Sequence, residues 1–400
     1  VLFHFNLYSG LLLPPVLHGL LFAMLLFWRG TAQGRLSDRL LGALVLLLTL
    51  RVANWMLGFA GWYDAHNAYS TFLFYFPFNY WFAFGPLLYF YFRSLTNRAF
   101  RFERRHLWHF LPALLDLGLY AYAFLLDVVW MHGIQGQPFP YHYGSKGPHG
   151  QLNGLLLAEI LDYFVIPALL FYVVLTLRHY QQYRSYVEEN FSDTDRLALR
   201  WLRHLLYVFL AALLVWLVFQ LADQFRVEEL SYVQYWYSYF IWGVIVYVVS
   251  IAGYGSRMPD LLPLYFVPGR PAEETEAVDS EPAPAYRAEL TAFMKTHRPY
   301  LQSELSLQDL AKQMELPQHL LSRRINSAFG QNFNDFVNAY RVEAVKEMLL
   351  SGDAQHLSLL GIAYECGFNS KATFNRVFRK FTGQSPTEFR KAQHPKGGSD

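Results

Sequence analysis

Arg323, Asn375 and Arg376 are the side chains of this sequence best suited to read a nucleic acid. A guanidinium can bond both major-groove acceptors of guanine, and a carboxamide can do the same for adenine. That chemistry requires helices able to enter the groove, and the surrounding residues write such a unit twice. The first copy opens at Leu305-Ser306-Leu307, has Ala311 in its opening helix, passes Arg323 and closes at Gly330-Gln331. The second opens at Leu357-Ser358-Leu359, has Ala363, passes Arg376 and closes at Gly383-Gln384. The offset is 52 residues at the start and 53 after the turn, so one inserted residue brings the copies into register and marks duplicated structure.

Each copy reads as helix, turn, helix. In the first, Ser306 is an N-cap with Asp309 three residues on, ahead of Leu307, Leu310 and Met314. Pro317 suits the start of the next helix, which turns Leu320, Leu321 and Ile325 inward and Gln318, His319, Ser322, Arg323 and Asn326 outward. In the second, Ser358 caps one helix, Gly367 makes the break, and Ser370 caps a helix with Phe374, Phe378 and Phe381 inward. This leaves Lys371, Asn375, Arg376, Arg379 and Lys380 outside. Arg379, Lys380 and Arg341 are expected on phosphates, which position a protein without reading sequence. Between the units Asn332 to Leu350 reads as one helix, with Phe333, Phe336, Val337, Tyr340, Val345 and Leu349 on its apolar side and Gly352 closing it. It would hold the two recognition helices about one duplex turn (~34 Å) apart, facing successive major grooves.

From Tyr286 to Asp400 there are fifteen Lys or Arg against eleven Asp or Glu, a mildly basic balance that suits phosphate contact. The single cysteine, Cys366, excludes an intrachain disulfide and a Cys-rich zinc site, and its place beside Gly367 suits a small buried apolar role. The sequence has no zinc-protease histidine pair, phosphate-cradling glycine loop, nucleophile elbow or kinase signature. No catalytic residue, metal or cofactor is therefore expected, and the chain is not read as an enzyme.

The front of the chain is of another kind. The whole sequence is 54% hydrophobic and 18% aromatic with only 16% charged residues, and the excess lies before Tyr254. A helix needs ~20 apolar residues to cross the hydrocarbon, and seven stretches qualify. They run approximately Leu11 to Trp28, Leu40 to Ala60, Phe72 to Phe92, Leu107 to Trp130, Gly154 to Leu177, Leu202 to Ala222 and Tyr235 to Tyr254. The first lacks a positively charged leader and a small-residue cleavage site, so it reads as a span rather than a signal peptide. Basic residues concentrate in alternate connections: Arg29, Arg35 and Arg39; Arg93, Arg98, Arg101, Arg104 and Arg105; Arg178, Arg184, Arg196 and Arg200. Those connections are expected in the cytoplasm, which puts the amino terminus outside and everything after Tyr254 inside.

Trp28, Trp55, Trp62, Trp130, Trp201 and Trp236 lie near span ends, as in an interfacial belt. Ionisable residues within spans are costly unless paired or hydrated. Arg51, Asp116, Glu159 and Asp162 are therefore candidates for a signal-sensing pocket or for polar glue between helices, and both readings stay open; Asp127 falls near the outer interface. The outer connection Met131 to Asn153 could cover such a pocket, though His132, His142 and His149 lack metal-site spacing. Between Gly255 and Ala285, six prolines and an acidic run of Glu273, Glu274, Glu276, Asp279 and Glu281 read as an extended tether.

The run GFNSKATFNRVFRKFTGQSPTEFR, Gly367 to Arg390, resembles the signature of the AraC/XylS family of bacterial transcription regulators, and Tyr286 to Gln393 is similar to their DNA-binding domain. The anchors are Gly367-Phe368, Phe374, Arg376, Phe378, Gly383, Pro386 and Phe389-Arg390, with Ala311, Arg323, Gly330 and the connecting helix in the first half. The resemblance implies recognition helices at Gln318 to Asn326 and Ser370 to Lys380, with base contacts at His319, Ser322, Arg323, Lys371, Asn375 and Arg376. Ala372 stands where relatives carry a longer polar side chain, so no contact is assigned there. Most relatives have a soluble cupin-like effector domain; this chain resembles the minority with a multi-span membrane domain.

The expectation is an all-α protein, a seven-span transmembrane bundle followed by a two-unit helix-turn-helix domain. Its parts are a membrane sensor (1–254), an acidic Pro-rich linker (255–285), an AraC-type DNA-binding domain (286–393) and a tail (394–400). It would be a transcriptional regulator tethered in the bacterial inner membrane. Its expected partners are double-stranded promoter DNA, the lipid bilayer, RNA polymerase and an unknown signal ligand, with homodimerisation left open. The alternative is a membrane transporter or membrane enzyme with an appended regulatory DNA-binding domain.

Overall fold

The computed structural model describes residues 4–65, 67–78, 80–138, 146–150, 152, 155–195, 197–224, 232–255, 264, 266–267, 283–351 and 356–393. Almost all are helical, and a β-bridge pairs Phe191 with Ser306. The chain divides into two compact units: Val1–His179 with Arg200–Tyr265, and Tyr180–Leu199 with Phe266–Asp400.

The first unit is built on α1 (Leu7–Ala32), α2 (Leu36–Phe59), α4 (Trp81–Thr96) and α8 (Tyr232–Gly255). Asn6 caps α1 by accepting from the Ser9 amide. At the other end of α1, Arg29 donates from Nε and Nη2 to both carboxylate oxygens of Asp38, each at 2.7 Å, and from Nη1 to the carbonyl of Tyr254 at 2.7 Å. Arg29 counts in the sequence as a connection charge, yet it is buried. A buried guanidinium is tolerated because every face has a partner, and the pair ties α1, α2 and α8 at one end.

Among the described residues six helices are long and apolar enough to cross a membrane: Leu7–Ala32, Leu36–Phe59, Arg104–Ile134, Leu156–Asn190, Arg200–Val218 and Tyr232–Gly255. This corrects the expected seven. The stretch Phe72 to Phe92 divides into α3 (Ala68–Phe74) and the sixteen-residue α4, with non-helical backbone around Pro77. A proline has no amide hydrogen to continue the helix and pushes its predecessor out of helical geometry. With six, the odd-number argument for termini on opposite sides falls. The third of these helices begins as a 3-10 turn (Arg104–Phe110), continues as α5 (Leu111–Phe124) and ends in π geometry (Leu125–Ile134). The remaining two are α6 (Leu156–Asn190) and α7 (Arg200–Gln224).

The second unit contains α9 (Ala283–His297), α10 (Leu307–Gln313), α11 (Gln318–Phe329), α12 (Phe333–Ser351), α13 (Leu359–Glu365), α14 (Lys371–Thr382) and α15 (Pro386–Gln393). It has two cores. Leu290, Met294, Leu310, Leu321, Ile325, Phe336 and Val337 fill the first; Val345, Leu349, Ile362, Phe368, Phe374 and Phe378 fill the second. α12 contributes to both, so one rigid helix joins the two halves. The expected linker lies almost wholly outside the described residues, as do Gly352 and the tail 394–400.

Candidate nucleic-acid interface

The local signals set both recognition helices in place. Ser306 and Asp309 form a reciprocal capping box at α10. Ser358 accepts from the Gly361 amide at 3.0 Å, and Ser370 from the Thr373 amide at 3.1 Å. α11 and α14 end at Gly330 and Gly383, which adopt φ +66° and +75°, the left-handed conformation that glycine takes without steric cost. With Leu321 and Ile325, and Phe374 and Phe378, turned into the cores, helical geometry assigns the opposite faces.

On α11, His319 is exposed, and Ser322 and Arg323 are half-buried. The adjacent Arg324 is buried, over the ring of Tyr286 at 5.2 Å and 3.5 Å from Glu289. On α14, Lys371, Asn375, Arg376 and Arg379 are exposed. Lys380 is exposed and makes a 2.6 Å ion pair with Asp335 at the start of α12. The expected base-edge residues thus lie on the two helices that the motif assigns, those of α14 exposed and those of α11 partly so.

Arg341 is a correction. It is 2% exposed and donates from Nε to the Tyr300 carbonyl at 2.8 Å, and from Nη2 to the Gln302 carbonyl at 2.8 Å and to Ser192 Oγ at 3.1 Å. Its guanidinium lies over the Phe368 ring at 5.9 Å. Burial pulls its pKa down to about 10, against the opposing field of Asp193, so the cation persists at neutral pH. All its donors face protein, and no side remains for a phosphate.

The sequence gives no sign of the residues that meet α14 from far along the chain. The segment Asn190 to Asp195 lies in the second unit. Ser192 bonds to the Leu305 carbonyl through its amide at 3.1 Å and its hydroxyl at 2.7 Å. Asn334 donates to the Ser192 carbonyl at 2.7 Å. Asn369 donates to Asp193 Oδ2 at 2.8 Å, Thr373 Oγ1 to Asp195, and Arg376 Nη2 lies 3.5 Å from Asp195 Oδ2. Gln318 at the start of α11 donates to Asn190 Oδ1 at 2.8 Å.

In the first unit, Arg51 donates to the Tyr239 hydroxyl at 2.6 Å and lies over its ring, while its Nε is buried without a hydrogen-bond partner. Asp116 is half-buried, and Glu159 and Asp162 are exposed on α6. Among the described residues none of these carboxylates comes within ion-pair distance of Arg51. A cavity of about 310 Å³ is lined by Arg51, Asn54, Trp55, Tyr63, Phe78 and Tyr232 among others. Asp127 is buried, and accepts from Tyr75 Oη at 2.7 Å and from the His149 amide at 2.9 Å; its Oδ1 lies 2.7 Å from His149 Nδ1. It pins the outer connection from within, where the sequence suggested an interfacial position. No group of three or more His, Cys, Asp or Glu among the described residues could hold a metal ion.

A family model described as helix-turn-helix domain matches residues 310–392. An uncharacterised HTH-type transcriptional regulator of Staphylococcus aureus (strain COL) is 32% identical over 91 residues, covering 23% of this chain and 12% of that protein. The uncharacterised HTH-type transcriptional regulator YijO of Escherichia coli (strain K12) is 32% identical over 92 residues, 23% of this chain and 31% of its own length. A solved protein of unknown function from Listeria innocua aligns at 28% identity with 26% of this chain and 94% of its own, with TM-score 0.23. The matched part thus spans an eighth to a third of the curated relatives' length. Within those bounds, the carboxyl-terminal region of this chain belongs to the AraC-type helix-turn-helix domains of transcription regulators.

Proposed function

We propose that the chain is a membrane-tethered regulator that binds promoter DNA through both helix-turn-helix units. His319, Ser322 and Arg323 on α11, and Lys371, Asn375 and Arg376 on α14, read base edges; Arg379 and Lys380 hold backbone phosphates. The observation that carries this reading is the presence, in one chain, of a paired helix-turn-helix domain and six apolar helices of membrane length. On this reading the DNA target sets the reading domain in the bacterial cytoplasm, where bound promoter is presented to RNA polymerase. The cavity beside Arg51 supports a sensing role, because its volume and aromatic lining suit a small ligand and the arginine supplies a charged contact.

The test is an electrophoretic shift with the full chain in lipid nanodiscs against genomic fragments. Retention of a subset, weakening steeply as salt rises, is expected because phosphate contacts release counterions. Failure on every fragment at low salt refutes the reading. A carboxyl-terminal reporter active only on the outer surface would refute the cytoplasmic placement.

A further inference from the structure

The second unit binds part of its own chain where DNA is proposed to bind. Phe191 and Ser192 are fixed by the bridge to Ser306, by the Leu305 carbonyl and by Asn334, all in buried surroundings. That anchor carries two carboxylates onto the second recognition helix and its approach: Asp193 to Asn369, and Asp195 to Thr373 and Arg376. The same segment reaches the first recognition helix through Asn190 and Gln318. Asp195 Oδ2, 3.5 Å from Arg376 Nη2, puts one anionic oxygen beside the guanidinium that a base edge or a phosphate would otherwise engage.

We propose that Asn190 to Asp195 is an internal competitor for DNA, a strap that must leave the α14 face before Arg376 can reach a base. The proposal rests on the DNA-reading function above. The Arg376–Asp195 pair is 51% and 21% exposed, so the contact alone is weak and DNA can displace it. The anchored backbone of Phe191 and Ser192 keeps the carboxylates at high local concentration, which makes a weak contact an effective competitor. The strap directly follows α6, whose thirty-five residues include one of the membrane-length stretches, so the competitor is covalently continuous with the proposed sensor. A signal that draws or turns α6 would free the reading helix without touching it.

The experiment compares the full chain in nanodiscs with its D193N/D195N variant, using labelled duplexes enriched on that variant from a random-sequence library. A strap closed about nine-tenths of the time weakens apparent affinity about tenfold, so the variant is expected to bind about tenfold more tightly. Equal affinities for the two, with Arg376→Ala weakening both, would overturn the strap and leave the DNA reading intact. No retained duplex for any form would overturn both. A second test avoids reliance on the folding of the charge variant: Asp195→Cys with Thr373→Cys, in a Cys366→Ala background, is joined by a bis-maleimide. Loss of DNA binding on joining supports the strap; unchanged binding by the locked form overturns it.

Discussion

Arg341 of α12 holds the carbonyl oxygen of Tyr300 at 2.8 Å, and the same guanidinium holds Gln302 from the loop that precedes α10. A residue of the helix between the two helix-turn-helix motifs thus organises the chain entering the first of them. Arg341→Ala would leave those carbonyls unsatisfied in a buried site and should destabilise the domain by about 3 kcal/mol. Arg341→Lys should recover only part, because one ammonium cannot span the same acceptors. Hydrogen exchange of α12 amides in the full chain measures both.

Base reading and phosphate holding separate by their sequence dependence. Arg376→Ala should cost about 1–3 kcal/mol on the preferred duplex and relax discrimination in one half-site. Arg379→Ala should weaken all duplexes alike and reduce the salt slope by about 1. Competition binding across a panel of single-base variants at several salt concentrations distinguishes them. A uniform loss for Arg376→Ala would assign it to the backbone instead.

Gly367 and Gly383 offer a matched comparison. Both have positive φ, +87° and +75°, but a β-carbon at Gly367 would collide with the Tyr300 carbonyl, whereas nothing lies within 4 Å at Gly383. Gly383→Ala should cost about 1–2 kcal/mol from backbone strain alone. Gly367→Ala should cost clearly more and shift α13 and α14 against the loop at Tyr300. Thermal unfolding followed by exchange mass spectrometry gives the order, and equal losses would contradict the packing.

Cys366 is buried beside Met348, and burial pushes its thiol up to about 12, with Glu365 and Glu347 adding to the rise. The folded chain should therefore resist alkylation at pH 8 and react on unfolding. Because the folded pKa is raised, the thiol's contribution to stability is complete below about 9 and declines as pH climbs toward 12. Rapid labelling of the native chain at pH 8 would show the site to be open.

The reading domain was legible because its signals are local. The caps at Ser306, Ser358 and Ser370, the stop at Gly383 and the inward Phe374 and Phe378 each follow from a few adjacent residues. The charge of Arg341 points to phosphate while its position points inward: it lies four residues from both Val337 and Val345, on the stripe that both cores use. Between Phe72 and Phe92 hydropathy alone reads as one span, but Pro77 breaks the helix. Asp195 carried no signal, since its partners lie 178 residues and more along the chain and no periodicity links them. Asp127 was hidden for the same reason, its partners Tyr75 and His149 lying on other segments.

Because α12 is embedded in both cores, the pair of recognition helices works as a calliper with a welded hinge. On the function proposed above, an operator must then offer its two halves at a single phase of the double helix. Promoters in which five base pairs, about half a turn, separate the halves further would present the second site on the far side of the duplex, out of reach however well its bases match.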